Sequence, residues 1–408
     1  MTKLTPALSY HAKDEFGNKP GKISITSHKN LETKEDLALA YTPGVAEPVL
    51  EIAKNPTDAY KYTSKGNLVA VISDGSAVLG LGNVGALASK PVMEGKAVLF
   101  KKFADIDVFD IEVATQDVDE FVQTVVNIAP TFGGINLEDI SAPRCFEIEK
   151  QLIAKLDIPV FHDDQHGTAI IICAGLLNAI EIQNKTKENA KIVCLGAGAA
   201  GIATLNLLCE IGFDKNNILL VDSKGVINQK RTGLSKEKLQ YQSTTDKNTL
   251  TEAINNADVF IGVASSNLVS KDMVASMADN PIVFALSNPN PEISPADANS
   301  VRDDLIMATG RSDYPNQVNN VLGFPFIFKG ALSSKAKIIN SEMKIAAVYA
   351  LQQLAKEDVS NKIKDTYKGE DLSFGKNYII PKPFDERLCK VVSGAVYQAA
   401  IDSGVSGL

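Results

Sequence analysis

Tryptophan is absent from these 408 residues, aromatic residues make up only 6%, and there are four histidines and five cysteines. No two cysteines form a CxxC pair, which argues against a zinc ribbon or a thioredoxin-type redox motif. Cys145, Cys173, Cys194, Cys209 and Cys389 sit mostly in apolar runs, as buried reduced thiols do. No Lys/Arg-rich block interrupts a chain of net charge -8, so the electrostatic footprint of a nucleic-acid partner is missing. The N-terminal stretch MTKLTPALSYHAKDEF lacks the apolar core of a leader. The longest apolar run, 169–182, is interrupted by Asn178 and is short for a bilayer. The expectation is a cytoplasmic protein with no membrane contact. Repeats of fixed period and low-complexity tracts are also lacking.

What is present is enough apolar residue, 45%, to build two cores, and a regular alternation of strand and helix patterns. The first forty residues read as a polar arm followed by a charged helix, 34–39. LVAVISDGSAVLGLGNVG from Leu68 reads as two short β segments joined at Asp74-Gly75, then a glycine turn and a helix from about Pro91. IDVFDIEV, GINLEDI and IPVFHDD follow as strands with helical spacing between them. From Lys191 a second α/β unit begins: KIVCL, the turn GAGAAG, a helix, and NILLVD. Further strands are expected at 258–263, 281–286 and 305–309, with helices after Phe328. The fold class is therefore α/β, with parallel sheets.

GxGxxG occurs twice, at 80–85 and at 196–201. The second directly follows a strand, opens a helix, and leads to a strand ending in Asp222, so Gly196, Gly198 and Gly201 have the context of a Rossmann-type dinucleotide site. Asp222 would accept from the ribose 2'-hydroxyl of NAD, while Ser223 and Lys224 could accommodate the 2'-phosphate of NADP. The 80–85 loop reads equally as a tight turn and as a ligand-facing loop.

In PVFHDDQHGT (159–168) an Asp pair ends a strand, and Glu138 and Asp139 end the preceding one. A β-α-β crossover makes those tips neighbours, and three carboxylates there suit Mg²⁺ or Mn²⁺ with room for a substrate. His162 and His166 stand four apart, but the HExxH pattern of a zinc site is missing.

Seven segments in one order resemble malic enzyme: YTPGVAEP (41–48), DGSAVLGLGNVGALASKPVMEGKAVLF (74–100), GGINLEDI (133–140), FHDDQHGTA (161–169), GAGAAG, LSNPNPE (286–292) and GRSDYPNQVNNVLGFPF (310–326). The similarity is to the bacterial short-subunit form, including the malic-enzyme part of hybrids that carry a phosphotransacetylase-like domain behind it. It implies oxidative decarboxylation of malate with reduction of NADP, or alternatively NAD. It also implies a substrate and metal domain (1–161, with its N-terminal arm), a Rossmann domain (162–320), a helical segment (321–408) returning to the first domain, and a homodimer.

By resemblance Glu138, Asp139 and Asp164 hold the metal and Lys96 is the general base, which must be neutral to act and whose pKa a neighbouring cation is expected to lower. Tyr41 is the general acid, Asp163 orients Lys96, and Asn288, Asn319 and Asn320 lie at substrate or nicotinamide. One departure stands out. Larger family members place an arginine in the loop aligned with Ser76-Ala77, where it grips a malate carboxylate; here the candidates for that role are the backbone amides of the 75–85 loop, the Ser76 hydroxyl or a basic residue from elsewhere. Two other readings use the same residues: a metal lyase acting on oxaloacetate without net redox, and a non-catalytic dinucleotide sensor.

Overall fold

The computed structural model describes residues 5–12, 19–78 and 80–408; part of the expected N-terminal arm, and Leu79, lie outside them. Two parallel sheets form the frame. The first has strands β1 (Leu68–Ser73), β2 (Asp107–Glu112), β3 (Gly134–Leu137) and β4 (Val160–His162) in the order β2-β1-β3-β4. The second has β5 (Ile192–Leu195), β6 (Ile218–Asp222), β7 (Gly225–Val226), β8 (Val259–Gly262), β9 (Ile282–Ala285) and β10 (Ile306–Thr309), ordered β10-β9-β8-β5-β6-β7, with only β7 antiparallel.

Alternation within β1 shows why the strands are apolar throughout. Val69 and Val71 face one core while Leu68, Ala70 and Ile72 face another, so both sides of the sheet are covered, as parallel sheets require. The second β segment expected after Asp74-Gly75 does not form. That stretch is a glycine loop closed by a local Val78–Gly82 pairing, because its backbone turns back on itself rather than reaching a neighbouring strand. The helix behind it, Ala86–Ala104, starts five residues earlier than the sequence suggests and runs through Pro91.

The Asp163–Ile182 helix joins the two sheets. It is long and apolar enough to cross a membrane by length and composition, contrary to the sequence expectation, yet 78% of its apolar window is buried inside the fold. Asn178, which seemed to interrupt it, is buried in the interior with its amide nitrogen donating to the carbonyls of Gln352 and Ile379, while its Oδ1 is left without a partner. The helix Phe324–Ser333 packs on Ala86–Ala104, with Phe324 and Phe328 ring centroids 4.7 and 5.4 Å from Phe100. The N-terminal helices Pro6–His11, Lys34–Ala40 and Ala46–Lys54 bury no residue at all.

Candidate active site

Strand register builds the acid cluster. Leu137 pairs with His162 across β3 and β4, so the next residues along each strand, Glu138 and Asp163, emerge side by side, followed by Asp139 and Asp164. Ligand atoms of Glu138, Asp139 and Asp164 all lie within 4.8 Å of one another. The backbone N–H of Asp139 donates to Asp164 Oδ2 at 2.7 Å, and Asp139 itself is held at φ 54°, a left-handed conformation uncommon for a non-glycine residue. Its Oδ2 is buried without a hydrogen-bond partner. Burial, and then the neighbouring carboxylates, push the pKa values of Glu138, Asp139 and Asp164 upward. Three acids sharing one pocket, one with an orphaned oxygen, fit a hard divalent cation and little else. Neither His162 nor His166 joins this trio. His162 Nδ1 caps the Asp163–Ile182 helix by accepting from the Gln165 N–H, and His166 Nε2 lies 2.9 Å from Glu149, so zinc has no histidine ligand there.

Lys96 comes from the middle of the Ala86–Ala104 helix and is 7% exposed. Its Nζ lies 2.8 Å from Glu138 Oε1 and 2.7 Å from Asp163 Oδ2, and 4.3 Å from the Phe324 ring centroid. Asn320 donates to the same Asp163 oxygen, and Asn136 to Glu138 Oε2 at 2.9 Å. Gly167 makes room, since a Cβ there would sit 1.8 Å from Asp163 Oδ1. The expected downward shift of Lys96 is reversed. Burial pulls it down, but Asp163 and Glu138 outweigh burial and hold the ammonium charged, because its nearest charges are acids rather than a cation.

Ser76 is brought to this cluster: Ala77 N–H donates to Asp139 O at 2.9 Å and Ser141 N–H to Ser76 Oγ at 2.9 Å. Asn319 spends its Oδ1 on the N–H of Val321, a capping role. Tyr41 is not brought in. It ends the Lys34–Ala40 helix 69% exposed, and its hydroxyl makes no hydrogen bond to the buried cluster of its own chain. A helix that buries none of its residues cannot deliver a side chain to an interior site.

The dinucleotide loop is built as its glycines require. A Cβ on Gly196, at φ 120°, would meet Val263 O at 2.7 Å, and one on Gly201 would meet Gly196 O at 1.8 Å, whereas Gly198 faces open space. A cavity of about 680 Å³ opens there, lined by Gly196, Gly198, Asp222, Lys238 and Ala264 among others. Asp222 is not free to serve a ribose. Arg231 grips both its oxygens at 3.0 Å and Lys238 Nζ lies 2.9 Å from Oδ2. Those donors outweigh burial and hold its carboxyl well below the usual range. Sequence reading missed Arg231 and Lys238, although the basic residues of KGVINQKRTGLSKEK just beyond Asp222 were the available signal. A Cβ on Gly80 would sit 3.0 Å from Asn288 O, so the first glycine loop abuts the 286–292 loop that carries Asn288.

Comparison with known proteins gives matches to "Malic enzyme, N-terminal domain" over residues 20–153 and "Malic enzyme, NAD binding domain" over 165–366. The NADP-dependent malic enzyme of Halomonas elongata is 57% identical, with 99% of this chain and 95% of that one covered. A probable NADP-dependent malic enzyme of Rickettsia prowazekii is 60% identical over all of this chain but only 53% of its own length. The chain thus spans about half the length of several curated relatives it matches. The crystal structure of malic enzyme from Pyrococcus horikoshii superposes with a TM-score of 0.88 at 43% identity, covering 98% of this chain and 91% of that one.

Proposed function

The chain belongs to the malic enzyme family, and from that premise we propose that it converts malate and NADP⁺ to pyruvate, CO₂ and NADPH, with NAD⁺ the poorer acceptor. The observation that carries this reading is Lys96 wedged between Glu138 and Asp163 at the edge of a three-carboxylate cluster. Glu138, Asp139 and Asp164 would hold Mg²⁺ or Mn²⁺, which when bound would supply Lewis-acid charge to the oxygen on C2 of malate.

Lys96 would act as the base in its neutral form: a cation at the carboxylate cluster would offset the acids that otherwise keep the ammonium charged, while Asp163, held in place by Asn320, fixes the Lys96 Nζ at 2.7 Å. The neutral amine would take the hydroxyl proton of malate, and Gly196, Gly198 and Gly201 would hold the dinucleotide that supplies the hydride acceptor. Asn288 and Asn319 lie on loops that border substrate and nicotinamide. Arg231 and Lys238, with Ser223 and Lys224 beside them, favour a 2'-phosphate over a bare ribose, because Asp222 has already spent its acceptors.

Tyr41 serves as the acid for the enolate carbon of a second copy. Leu31, Leu37, Leu39, Val49 and Leu50 are all more than half exposed around it, an apolar face that a dimer would cover. Residues 1–161 with 321–408 form the substrate half and 162–320 the dinucleotide half. The five free cysteines suit a cytoplasmic setting.

The test is initial-rate formation of reduced nicotinamide from malate and Mn²⁺ with NADP⁺ and with NAD⁺ in parallel. Pyruvate formation without cofactor reduction would instead identify a lyase. Mixing inactive Lys96→Ala and Tyr41→Phe subunits checks the shared site, since a mixed dimer regains one intact centre that neither parent has.

A further inference from the structure

Ser76 is 6% exposed, and its hydroxyl oxygen already accepts twice, from Ser141 N–H and from Arg144 Nη2, each at 2.9 Å. A hydroxyl has two lone pairs and one proton. With both lone pairs filled, only donation is left, and among the described residues no acceptor lies within hydrogen-bond reach of that proton. A buried donor with nothing to bind, next to the loop carrying Asp139, points at an oxygen that arrives with a ligand.

Arg144 makes this arrangement rigid. It stands at the start of the Arg144–Lys155 helix, and its Nη2 also lies 2.7 Å from Asp74 Oδ2, a side chain with no exposure. Its Nη1 donates to Gln116 O at 2.7 Å. Asp74 in turn accepts from the Ser76 N–H at 2.9 Å. Ser76 is therefore gripped at backbone and side chain by one ion pair whose acid is buried and whose Arg144 side chain is 22% exposed, and cannot rotate to use its oxygen elsewhere. Malate brings two carboxylates, and the buried cation at the acid cluster, Lys96, is taken up by Glu138 and Asp163.

We propose that Ser76 donates to a carboxylate oxygen of malate and that Arg144 is the positioning residue that fixes it as a donor. This rests on the malate reading above and adds to it a residue outside the motif that carries Ser76. Arg144 acts through Ser76, so its effect vanishes when the hydroxyl is gone.

The experiment compares full-length wild type, Ser76→Ala, Arg144→Lys and the double variant by steady-state kinetics with malate, Mn²⁺ and NADP⁺, with melting temperature recorded for each. Lysine keeps a charge for Asp74 but lacks the fork that reaches Ser76 at the same time. Each single variant is expected to raise KM for malate about tenfold, with kcat and KM for NADP⁺ changed less than about threefold, and the double variant to match Ser76→Ala alone. Additive effects in the double variant, or equal damage to malate and NADP⁺ binding, overturn the inference. Arg144→Gln, which retains a donor without charge, replaces Arg144→Lys if the latter melts early, with the same criteria. Wild type that fails to reduce NADP⁺ with malate overturns the function itself, whereas active wild type with additive variants overturns only the role of Arg144.

Discussion

Asp139→Asn should make the metal-free protein more stable, not less. Asp139 is 3% exposed, has one orphaned oxygen, and faces Asp164 and Glu138. Burial first, and then those acids, raise its carboxyl to about 9. An unfolded aspartate titrates near 4, and one pKa unit is about 1.4 kcal/mol. A carboxyl forced to stay protonated at pH 7 in the folded state therefore costs about 4 kcal/mol relative to a group with no charge to lose, shared among the coupled acids. The asparagine amide avoids that cost and can donate to the neighbouring carboxylates, so a gain of about 1–4 kcal/mol is expected.

The pH dependence has a definite sign. A folded pKa raised above the unfolded one gives stability that is complete below about pH 4 and is lost as pH climbs toward 9. Metal-free wild type should weaken across that window, and Asp139→Asn should weaken less. Saturating Mn²⁺ at a hundredfold excess over Kd adds about 2.7 kcal/mol to wild type and little to the variant. Denaturation curves at several pH values, with chelator and with Mn²⁺, measure all of this. A metal-free variant that unfolds earlier than wild type, or a Mn²⁺ increment that does not grow with pH, would refute the reasoning.

Lys238→Gln should raise KM for NADP⁺ about tenfold while leaving NAD⁺ nearly unchanged, since a partly exposed ion pair with Asp222 adds little to stability but a phosphate loses a charged donor; paired initial rates decide it. Gly201→Ala places a Cβ 1.8 Å from Gly196 O, so the loop must shift, and cofactor affinity measured by fluorescence titration should fall by about two orders of magnitude or be lost. Lys96→Ala should cut kcat by about 10²–10⁴ with NADP⁺ affinity kept, and retained turnover would remove it as the base.

The sheets were legible because each strand is an apolar run ending in turn residues, and the acid cluster because Glu138, Asp139, Asp163 and Asp164 stand at the ends of consecutive strands. Gly196 and Gly201 were legible because steric need selects glycine there. Other contacts were not legible, because they join residues far apart in sequence through side-chain reach alone. Phe324 under Lys96, Arg144 on Asp74 and Lys238 on Asp222 follow no periodicity or local motif. The polarity of the lysine's surroundings also escaped the sequence, since only the packed structure shows that two acids are its nearest charges. Tyr41 shows a different limit: its motif is clear in the sequence, but only the structure shows that it lies exposed, away from the acid cluster of its own chain.

The Asp163–Ile182 helix opens at the acid cluster and runs beneath the second sheet, where Gly175 lies against Phe284 of β9. One unbroken helix thus belongs to the core beneath both sheets, packed with Val69, Val71 and Phe161 of the first and Ile192, Ile261 and Phe284 of the second. The acid cluster and the glycine loop are therefore built on a common element, and a substitution that loosens this helix is felt at both ends of the molecule.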